Sequence, residues 1–385
     1  MIDMKKSTQR IASTFGTIGP VCLRLAFVVA FASKSLVAAD SKIAELANAS
    51  DVKAAGQLAS QLQANDSIDV IAVLDAMQGA TPTGKNWLLS VAQTIADRDA
   101  KASKTQLAEF LESEAAQDAA ARYWAFDYVT AEQPEARNAF LRTHLDDPSL
   151  DIRYEAIQLG MQELKNSDSS LSEKERLAKL QQMLTLARLP EQVQAINEEL
   201  ESLDAGVQLL KHFGFVTEWQ LLGPFDNSEQ AAFDKVYEPE AAYAASKLDL
   251  KKTTAGKSGD VSWQPISTEE ENGALKIAEA LEKEKGAVAY LQGSFESPAA
   301  MECELRIGTP NATKVWLNGE LVISREVYHS GTQIDQYITQ VKLKPGTNSI
   351  FVKSCQNEQT QPWAQDWEFQ LRFTDETGAA IKPAK

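Results

Sequence analysis

The sequence predicts a multidomain protein in which an all-α helical array precedes an all-β antiparallel sandwich. Apolar residues recur with helical spacing from about residue 41 to 210, and they alternate with polar residues in short runs after that. The glycines follow the same division, since thirteen of the nineteen lie from residue 206 onward, where tight turns are needed. We therefore assign residues 40–210 to a helical domain and residues 211–385 to a β-sandwich domain.

Length and charge set the class of protein. A chain of 385 residues exceeds one ordinary domain, which agrees with the two-domain assignment. The formal net charge of −16 repels phosphate backbones, so nucleic acid is not expected as a partner.

The first 39 residues have the pattern of a signal peptide. A basic segment precedes the apolar run LAFVVAFA, and small residues follow in LVAAD. We expect cleavage after this segment and an exported protein, either periplasmic or extracellular. Because Arg24 and Lys34 crowd the apolar run, an uncleaved anchor is the alternative. No transmembrane segment is expected in the mature chain.

The helical half carries start signals and one repeat-like segment. Ser172 and Glu175 have capping-box spacing, and Pro190 stands at a first-turn position. The segment LDDPSLDIRYEAIQLG resembles the second helix of a HEAT-type repeat, and the preceding PEARNAFLRTHL fits the first helix. This indicates a HEAT-like array with irregular repeats, and a non-repeating helical bundle is the alternative.

The second half contains short alternating runs divided by turn signals. Five of them read as strands: ECELRIG, KVWLNGELVI, YITQVKL, SIFVKS and WEFQLRF. Strands at this spacing without intervening helices are typical of an antiparallel sandwich. Before the strand AVAYLQGSF, the segment TEEENGALKIAEALEKEKG is expected to form a charged, helical insert.

The runs KVWLNGELVI, LKPGTNSIFVK and WEFQLRF resemble the galactose-binding-like jelly roll, as in the sugar-binding domain of family 2 glycosidases. Asn318-Gly319 and Pro345-Gly346 have the composition of tight turns in such a sheet. A wider set, which includes FGFVTEWQLLGPFDN and EVYHSGTQIDQY, resembles uncharacterised secreted planctomycete proteins that combine helical repeats with this jelly roll. That resemblance implies architecture and export, but no activity.

The alternation of side chains along a strand predicts which face of its sheet each of the two cysteines of the mature chain occupies. Cys303 is in phase with the predicted core residue Leu305, whereas Cys355 is in phase with Phe351 and not with Val352. The two thiols should then point to opposite faces and stay free. A disulfide between them is the alternative.

Two polar loops form the strongest candidate site. Each follows a predicted strand, and both carry amides, acids and aromatics suited to sugar hydroxyls and sugar ring faces. The candidate ligand-binding residues are Arg325, Glu326, Tyr328, His329, Asp335, Gln356, Asn357, Glu358, Trp363 and Asp366. Trp367 alternates with Phe369 and is expected in the core, whereas Trp363 lies in the loop. The alternative is an internal network in which the amides satisfy the loop backbone.

Other patterns have weaker functional interpretations. The segment WQLLGPFDN, residues 219–227, is either an opening strand or part of an interdomain ligand cleft. GATPTGKN matches a phosphate-binding loop, but Asn86 replaces the required Ser or Thr, so we interpret it as a helix–helix turn. For Asp375-Glu376 in TDETG, the alternatives are a structural calcium site and a plain hairpin turn.

No nucleophile motif or metal-ligand spacing appears, so a non-catalytic protein is expected. Our first hypothesis is an exported protein that binds carbohydrate or glycan through the sandwich loops, with the helical domain as an interaction module. The second is a structural or scaffolding protein that binds protein partners in the cell envelope. The third is an unrecognised glycan-processing hydrolase, built from loop carboxylates.

Overall fold

The computed structural model describes residues 40–113, 115–166 and 171–384. The predicted signal peptide at residues 1–39 lies outside this part of the chain. A helical part precedes an antiparallel β-sandwich, so this order is confirmed. The described residues divide into two compact units on either side of the bond between Ile152 and Arg153. The assignment of residues 40–210 and 211–385 to separate domains stays a prediction.

The first unit consists of helices. They are α1 (residues 40–47), α2 (Val52–Gln63), α3 (Val70–Asp75), α4 (Pro82–Ala96), α5 (Ala100–Leu111), α6 (Ala119–Thr130), α7 (Pro134–Thr143) and the start of α8 (Leu150–Asn166). Several begin at side-chain caps, such as Asp51, which accepts from Ala54 N, and Asp118, which accepts from Ala121 N. Helix α7 lies within PEARNAFLRTHL, whereas α8 begins inside LDDPSLDIRYEAIQLG and continues beyond it to Asn166, and the HEAT-like array stays a prediction.

The segment GATPTGKN leads into helix α4. Thr81 caps the helix by accepting from Gly84 N, and Pro82 occupies its first turn. A Cβ on Gly84 would lie 2.3 Å from Ala47 O, so this glycine allows close packing against α1. The helix–helix turn interpretation is confirmed.

The second unit begins with helices and continues into strands. After α8 come α9 (Glu173–Leu186), α10 (Pro190–Glu201) and α11 (Leu209–Phe213). The capping box of Ser172 and Glu175 is present, and Pro190 is the first residue of α10. Among all described helices, not one is both long and apolar enough to cross a membrane.

The strands are short and antiparallel. They are β1 (Glu218–Asp226), β2 (Thr253–Ala255), β3 (Asp260–Ser262), β4 (Gln264–Ser267), β5 (Leu275–Lys276), β6 (Ala287–Ser297), β7 (Met301–Gly308), β8 (Ala312–Leu317), β9 (Glu320–Arg325), β10 (Tyr337–Leu343), β11 (Gly346–Gln356) and β12 (Glu368–Thr374). Short helices α12 (Glu238–Ala244) and α13 (Ile277–Ala280) lie between strands.

Within the described residues, two larger sheets form the sandwich. One has six strands in the order β4-β1-β6-β11-β8-β9, and the other has four in the order β10-β7-β12-β5. Their facing sides enclose a hydrophobic core, in which Trp219 packs edge-on against Phe369 and Phe295 packs on Phe373. Trp367 is 1% exposed within this core, as predicted.

The outer face of the six-stranded sheet is also covered. Residues 231–263, here called the covering segment, place Phe233 and the rings of Tyr237 and Tyr243 over this face. The ring of Tyr243 stacks on Phe351 with centroids 4.4 Å apart. Beneath the segment, the buried Lys353 ammonium lies 3.0 Å from Glu240 Oε2. Strand β11 is therefore buried on both faces.

The cysteines follow the predicted parity. Cys303 lies in the core between the sheets, and Cys355 lies under the covering segment. Both are free and buried, so the interpretation as two unpaired thiols is confirmed.

The predicted turns form, but the predicted helical insert is wrong for most of its length. Asn318 and Gly319 have φ of 53° and 92°, as a tight hairpin needs, and Gly346 has φ of 79°. In TEEENGALKIAEALEKEKG, only Ile277–Ala280 is helical. Glu282 and Lys283 take positive φ, which ends the helix, and Leu275 pairs with Phe369 in the sheet.

Candidate functional site

The topology brings the two candidate loops to one end of the sandwich. Strands β9 and β11 both pair antiparallel with β8, so they run in the same direction. Their carboxyl ends therefore lie at the same edge. The β9–β10 loop (residues 326–336) and the β11–β12 loop (residues 357–367) leave from these ends.

The two loops contact each other through His329. Its Nε2 lies 2.9 Å from Asn357 Oδ1, and its ring meets Trp363 edge-on with centroids 5.1 Å apart. Its backbone N donates to Pro310 O over 2.6 Å. The predicted neighbourhood of the two loops is thus present in the structure.

Trp363 is the exposed aromatic of this end. Its residue surface is 61% exposed, in contrast to 1% for Trp367. It lies in the short 3-10 helix Pro362–Ala364, whose fold is held by the Gln365 amide donating to Thr360 O at 2.6 Å and Gln361 O at 2.9 Å. The indole is therefore presented to solvent by an ordered turn.

Beneath the exposed surface is a layer of buried amides. Gln356 Nε2 donates to Ala364 O at 3.3 Å, and its Oε1 accepts from Asn311 Nδ2 at 3.2 Å. Asn227 Nδ2 donates to Gln356 O at 3.0 Å and to the Tyr328 hydroxyl at 3.3 Å. These amides bind each other and the loop backbone, which favours the internal-network interpretation for Gln356 and Asn227.

Asn357 belongs to both layers. It is 3% exposed, and its Oδ1 accepts from Gln359 N at 3.0 Å as well as from His329. Its backbone O accepts from Gly286 N at 2.8 Å. Asn357 therefore supports the exposed residues without reaching solvent itself.

Three predicted acids are exposed around this end: Glu326, Glu358 and Asp366. Glu358 accepts a short hydrogen bond from Glu229 N. Burial, together with the charges of Glu326 and Glu358, raises the pKa of Tyr328 to about 12. The Lys285 ammonium lies at the same end, where its Nζ donates to Ala364 O at 2.7 Å, so charges of both signs surround Trp363.

Asp335 and Arg325 have their contacts elsewhere. Asp335 binds Arg306, with Nη1 to Oδ2 at 2.8 Å, and also binds Arg372. Burial acts to raise the pKa of Asp335, but the hydrogen bonds and charges of the two arginines outweigh it and lower that pKa. The guanidinium of Arg325 lies 5.7 Å from the Tyr337 ring. The described contacts do not join either residue to Trp363.

Two residues of the site were missed by sequence reasoning. Asn311 is 1% exposed and ties Gln356 Oε1 and Asp366 O together, yet its segment TPNAT reads only as a turn. Glu368 reads as the start of a strand, but its Oε1 accepts from Thr332 Oγ1 at 3.1 Å across the end of the sandwich. Burial, with the charge of Asp366 adding to it, raises the pKa of Glu368. No local composition signal marks either residue.

The segment WQLLGPFDN contributes mainly to packing. Trp219 is 3% exposed and its Nε1 donates to Val216 O at 2.9 Å, and Phe225 is 2% exposed beneath the covering segment. This favours the opening-strand interpretation for both rings. Asn227, however, joins the loop cluster, so the two candidate clusters of the sequence meet at this residue.

The turn at Asp375 does not fit a calcium ion. Asp375 Oδ1 accepts from Thr377 N at 2.8 Å, Thr377 Oγ1 at 2.7 Å and Ala379 N at 3.0 Å, so it closes its own turn. In the described part of the chain, no group of three or more His, Cys, Asp or Glu residues has the geometry of a metal site.

Comparison with known proteins does not assign a family. No protein-family profile matches the chain, and no curated protein is significantly similar to it. The resemblance to secreted planctomycete proteins thus has no support from a family or a relative.

Solved structures with local likeness include three of interest. An anti-sigma factor domain-containing protein shares 14% identity over 25% of this chain and 32% of its own, with a TM-score of 0.21. The family 35 carbohydrate binding module from Clostridium thermocellum shares 18% identity over 23% of this chain and 78% of its own, with a TM-score of 0.17. The PA14 domain of the MpAFP antifreeze protein shares 15% identity over 25% of this chain and 47% of its own, with a TM-score of 0.20. This chain thus spans about a third of the anti-sigma protein. These scores are too low to assign a fold or a ligand.

Proposed function

We propose that this protein binds carbohydrate, without catalysis, at the end of the sandwich that carries Trp363. The observation that carries the proposal is the exposed indole, 61% exposed, held edge-on against His329 at 5.1 Å. A flat apolar ring in solvent suits the apolar face of a sugar, and the described residues leave most of this ring uncovered.

Polar groups beside the ring supply the second requirement. Glu326, Glu358 and Gln359 are exposed and stand on the same two loops. Carboxylates and carboxamides pair with vicinal hydroxyls, since they offer two polar atoms in one plane. The buried Gln356 and Asn357 belong to the supporting structure in this proposal, whereas the direct contacts come from exposed groups.

The absence of catalysis is part of the proposal. Asp335 is held between two arginines with a lowered pKa, which makes it a poor proton donor. Glu368 has a raised pKa and lies near Asp366. If the protein were a glycan hydrolase, Glu368 would therefore be the candidate general acid. If the protein releases reducing ends from polysaccharide and Glu368→Gln abolishes this activity, the hydrolase hypothesis would replace the proposal of non-catalytic binding.

We also propose a jelly-roll fold for the sandwich, a HEAT-like array for the helical part, and export of the protein. The strand order and the turns at Asn318-Gly319 and Gly346 support a galactose-binding-like jelly roll. The succession of helices α7 and α8 along the chain supports a HEAT-like array in the helical part. Export follows from the composition of residues 1–39. In this proposal the helical part provides contacts to protein partners of the cell envelope.

The test is a glycan array followed by calorimetry on the full chain. The best glycan should lose at least about fivefold in affinity with Trp363→Ala, because one stacking contact is worth about 1 kcal/mol or more. Trp363→Phe should retain part of the affinity. Ile338→Ala is the matched control, since Ile338 is also an exposed apolar residue, 50% exposed, on strand β10.

Two results would contradict the proposal. One is binding no stronger than background across the array. The other is equal glycan affinity for the wild type and Trp363→Ala. Capture of an envelope protein by the same end of the sandwich, lost in Trp363→Ala, would favour the scaffolding hypothesis instead.

A further inference from the structure

A second groove lies on the outer face of the six-stranded sheet, away from the loops described above. Its volume is about 700 Å³, within the range of small-ligand sites. It is lined by the start of β1, the edge strand β4, the middle of β6 and Leu250 of the covering segment. It goes beyond the proposed function, since it shares no residue with the Trp363 site.

The register of the strands shows what forms the floor. Gln220 on β1 is opposite Gln292 on β6, and Gln292 is opposite Phe351 on β11. Directly opposite residues share a face of the sheet, and Phe351 belongs to the covered outer face. Both glutamines therefore stand side by side on that outer face, where the covering segment ends. Ser294, two residues after Gln292, adds a hydroxyl to the same face.

The Gln292 carboxamide is only half satisfied. Its Nε2 donates to Gly293 O at 2.7 Å and to Ser349 Oγ at 3.1 Å. Its Oε1 is buried and has no hydrogen-bond partner. Because the carboxamide is planar, the oxygen lies on the opposite side of the group from these two acceptors. A buried acceptor without a partner destabilises the folded protein. A ligand donor that reaches this oxygen after a small rotation of the amide would therefore be stabilising.

The walls define the class of ligand. Pro265 and the 41% exposed Leu250 supply apolar sides, and Glu218 is the sole charged residue of the lining. A carboxylate at the rim repels anions, and adjacent carboxamides with a serine suit neutral vicinal hydroxyls. An extended peptide would instead pair with the β4 edge, where Pro265 lacks a backbone N–H.

We propose that this groove is a second binding site, for a neutral saccharide, in which Gln220 and Gln292 bind the hydroxyls of one sugar. The ligand is uncharged and polyhydroxylated, and its apolar edges contact Leu250 and Pro265. Ligand binding at this site does not depend on His329 or Trp363.

The experiment uses the full chain and three neutral probes: cellotriose, maltotriose and xylotriose. Binding is measured by calorimetry in the wild type and in Trp363→Ala, which disables the loop site. Gln292→Leu and Gln220→Leu are then made in the Trp363→Ala background. Ile338→Ala, on a strand of the other sheet, is the matched control, and thermal unfolding checks that each variant folds.

We expect Trp363→Ala to retain saturable binding of at least one probe. Gln292→Leu in that background should weaken this binding by about tenfold, the effect of losing one or two hydrogen bonds. Gln292→Asn, which keeps the amide but shortens the side chain, should have an intermediate affinity.

Three results would overturn the proposal. The first is loss of all binding in Trp363→Ala alone, which assigns every contact to the loops and leaves the proposed function intact. The second is unchanged binding in the folded Gln292→Leu variant. The third is absence of binding by all three probes. If a neutral extended peptide binds instead, and Gln220→Leu weakens its binding, the groove is a peptide site. If Trp363→Ala and wild type bind the probes alike and both glutamine variants fail to bind them, the groove is the site of these probes, and the loop site is judged separately by the best glycan of the array.

Discussion

His329 Nε2 lies 2.9 Å from Asn357 Oδ1, and this contact joins the two loops at one end of the sandwich. A carboxamide oxygen only accepts, so the imidazole carries its hydrogen on Nε2. Asn357 is itself fixed by Gln359 and Gly286, which leaves the imidazole little freedom. The orientation of Trp363 thus depends on a residue from another strand connection.

Replacing His329 should affect binding more than stability. His329→Ala removes a hydrogen bond and the edge contact to Trp363, so we expect glycan affinity to fall and the free energy of unfolding to drop by about 1 kcal/mol. His329→Gln should restore most of the stability, because its amide can donate, but not the ring contact. Urea unfolding and calorimetry measure the two effects separately. Glycan affinity in His329→Ala equal to wild type would show that Trp363 needs no such support.

Breaking the buried pair beneath the covering segment should destabilise the protein strongly. Lys353→Met leaves the Glu240 carboxylate among apolar rings, with the Tyr290 hydroxyl at 2.8 Å as a remaining donor. Removing one partner of a buried pair typically costs about 3–5 kcal/mol. The double variant Lys353→Met with Glu240→Leu should recover a large part of this loss.

The matched control is the exposed pair of Lys342 and Glu302, 2.9 Å apart. Lys342→Met should leave the free energy of unfolding nearly unchanged, because water screens exposed ion pairs. Equal effects of Lys353→Met and Lys342→Met in urea unfolding would contradict the buried-pair account.

Asp335 should make stability depend on acid. Its pKa in the folded protein is lowered below the unfolded value, so its contribution is complete above the unfolded pKa, about 4, and is lost as pH falls through the folded pKa. Asp335→Asn should reduce stability at neutral pH and flatten the acid limb of the stability profile. Thermal unfolding from about pH 7 down to about pH 2 would follow both. An acid limb of wild-type steepness in Asp335→Asn would assign the effect to other carboxylates.

The thiols should be inert in the native state. Burial raises the pKa of Cys303 to about 11 and that of Cys355 to about 12, so neither is a thiolate at about pH 8. We expect no alkylation by iodoacetamide in the native protein and two modified cysteines, beyond any in the leader, after denaturation. Mass spectrometry of both samples makes the comparison, and native modification of either residue would mean that its surroundings open.

Much of the fold was predictable because its signals are local. The turn at Asn318-Gly319 needs positive φ, and the parity of Cys303 and Cys355 follows from the two-residue period of a strand. The capping box at Ser172 is a contact within one turn. Each of these needs only a few neighbouring residues.

The covering segment was not predictable in this way. Residues 231–263 mix short strands, a short helix and aromatics, and their position over Phe351 depends on contacts far apart in sequence. Without them Lys353 reads as a solvent-facing residue of an alternating strand, whereas the structure buries it fully.

The candidate loops show the same limit for function. Composition placed Gln356, Asn357 and Trp363 together but could not separate exposed groups from satisfied ones. The hydrogen bonds of the folded structure do so. Gln356 and Asn357 bind the loop backbone, whereas Trp363 remains exposed. Asn311 was missed because its hydrogen-bond partners, Gln356 and Asp366, are far from it in sequence.

The ordered turn around Trp363 has a thermodynamic consequence for any ligand. Gln365, Gln356 and His329 fix the turn and the indole when the chain folds, so conformational entropy of these side chains is lost then and not at association. A glycan that stacks on the indole would therefore meet a rigid platform. The main entropic cost of binding would then be the loss of conformational freedom at the glycosidic linkages of the ligand. This favours short or stiff oligosaccharides over long flexible ones.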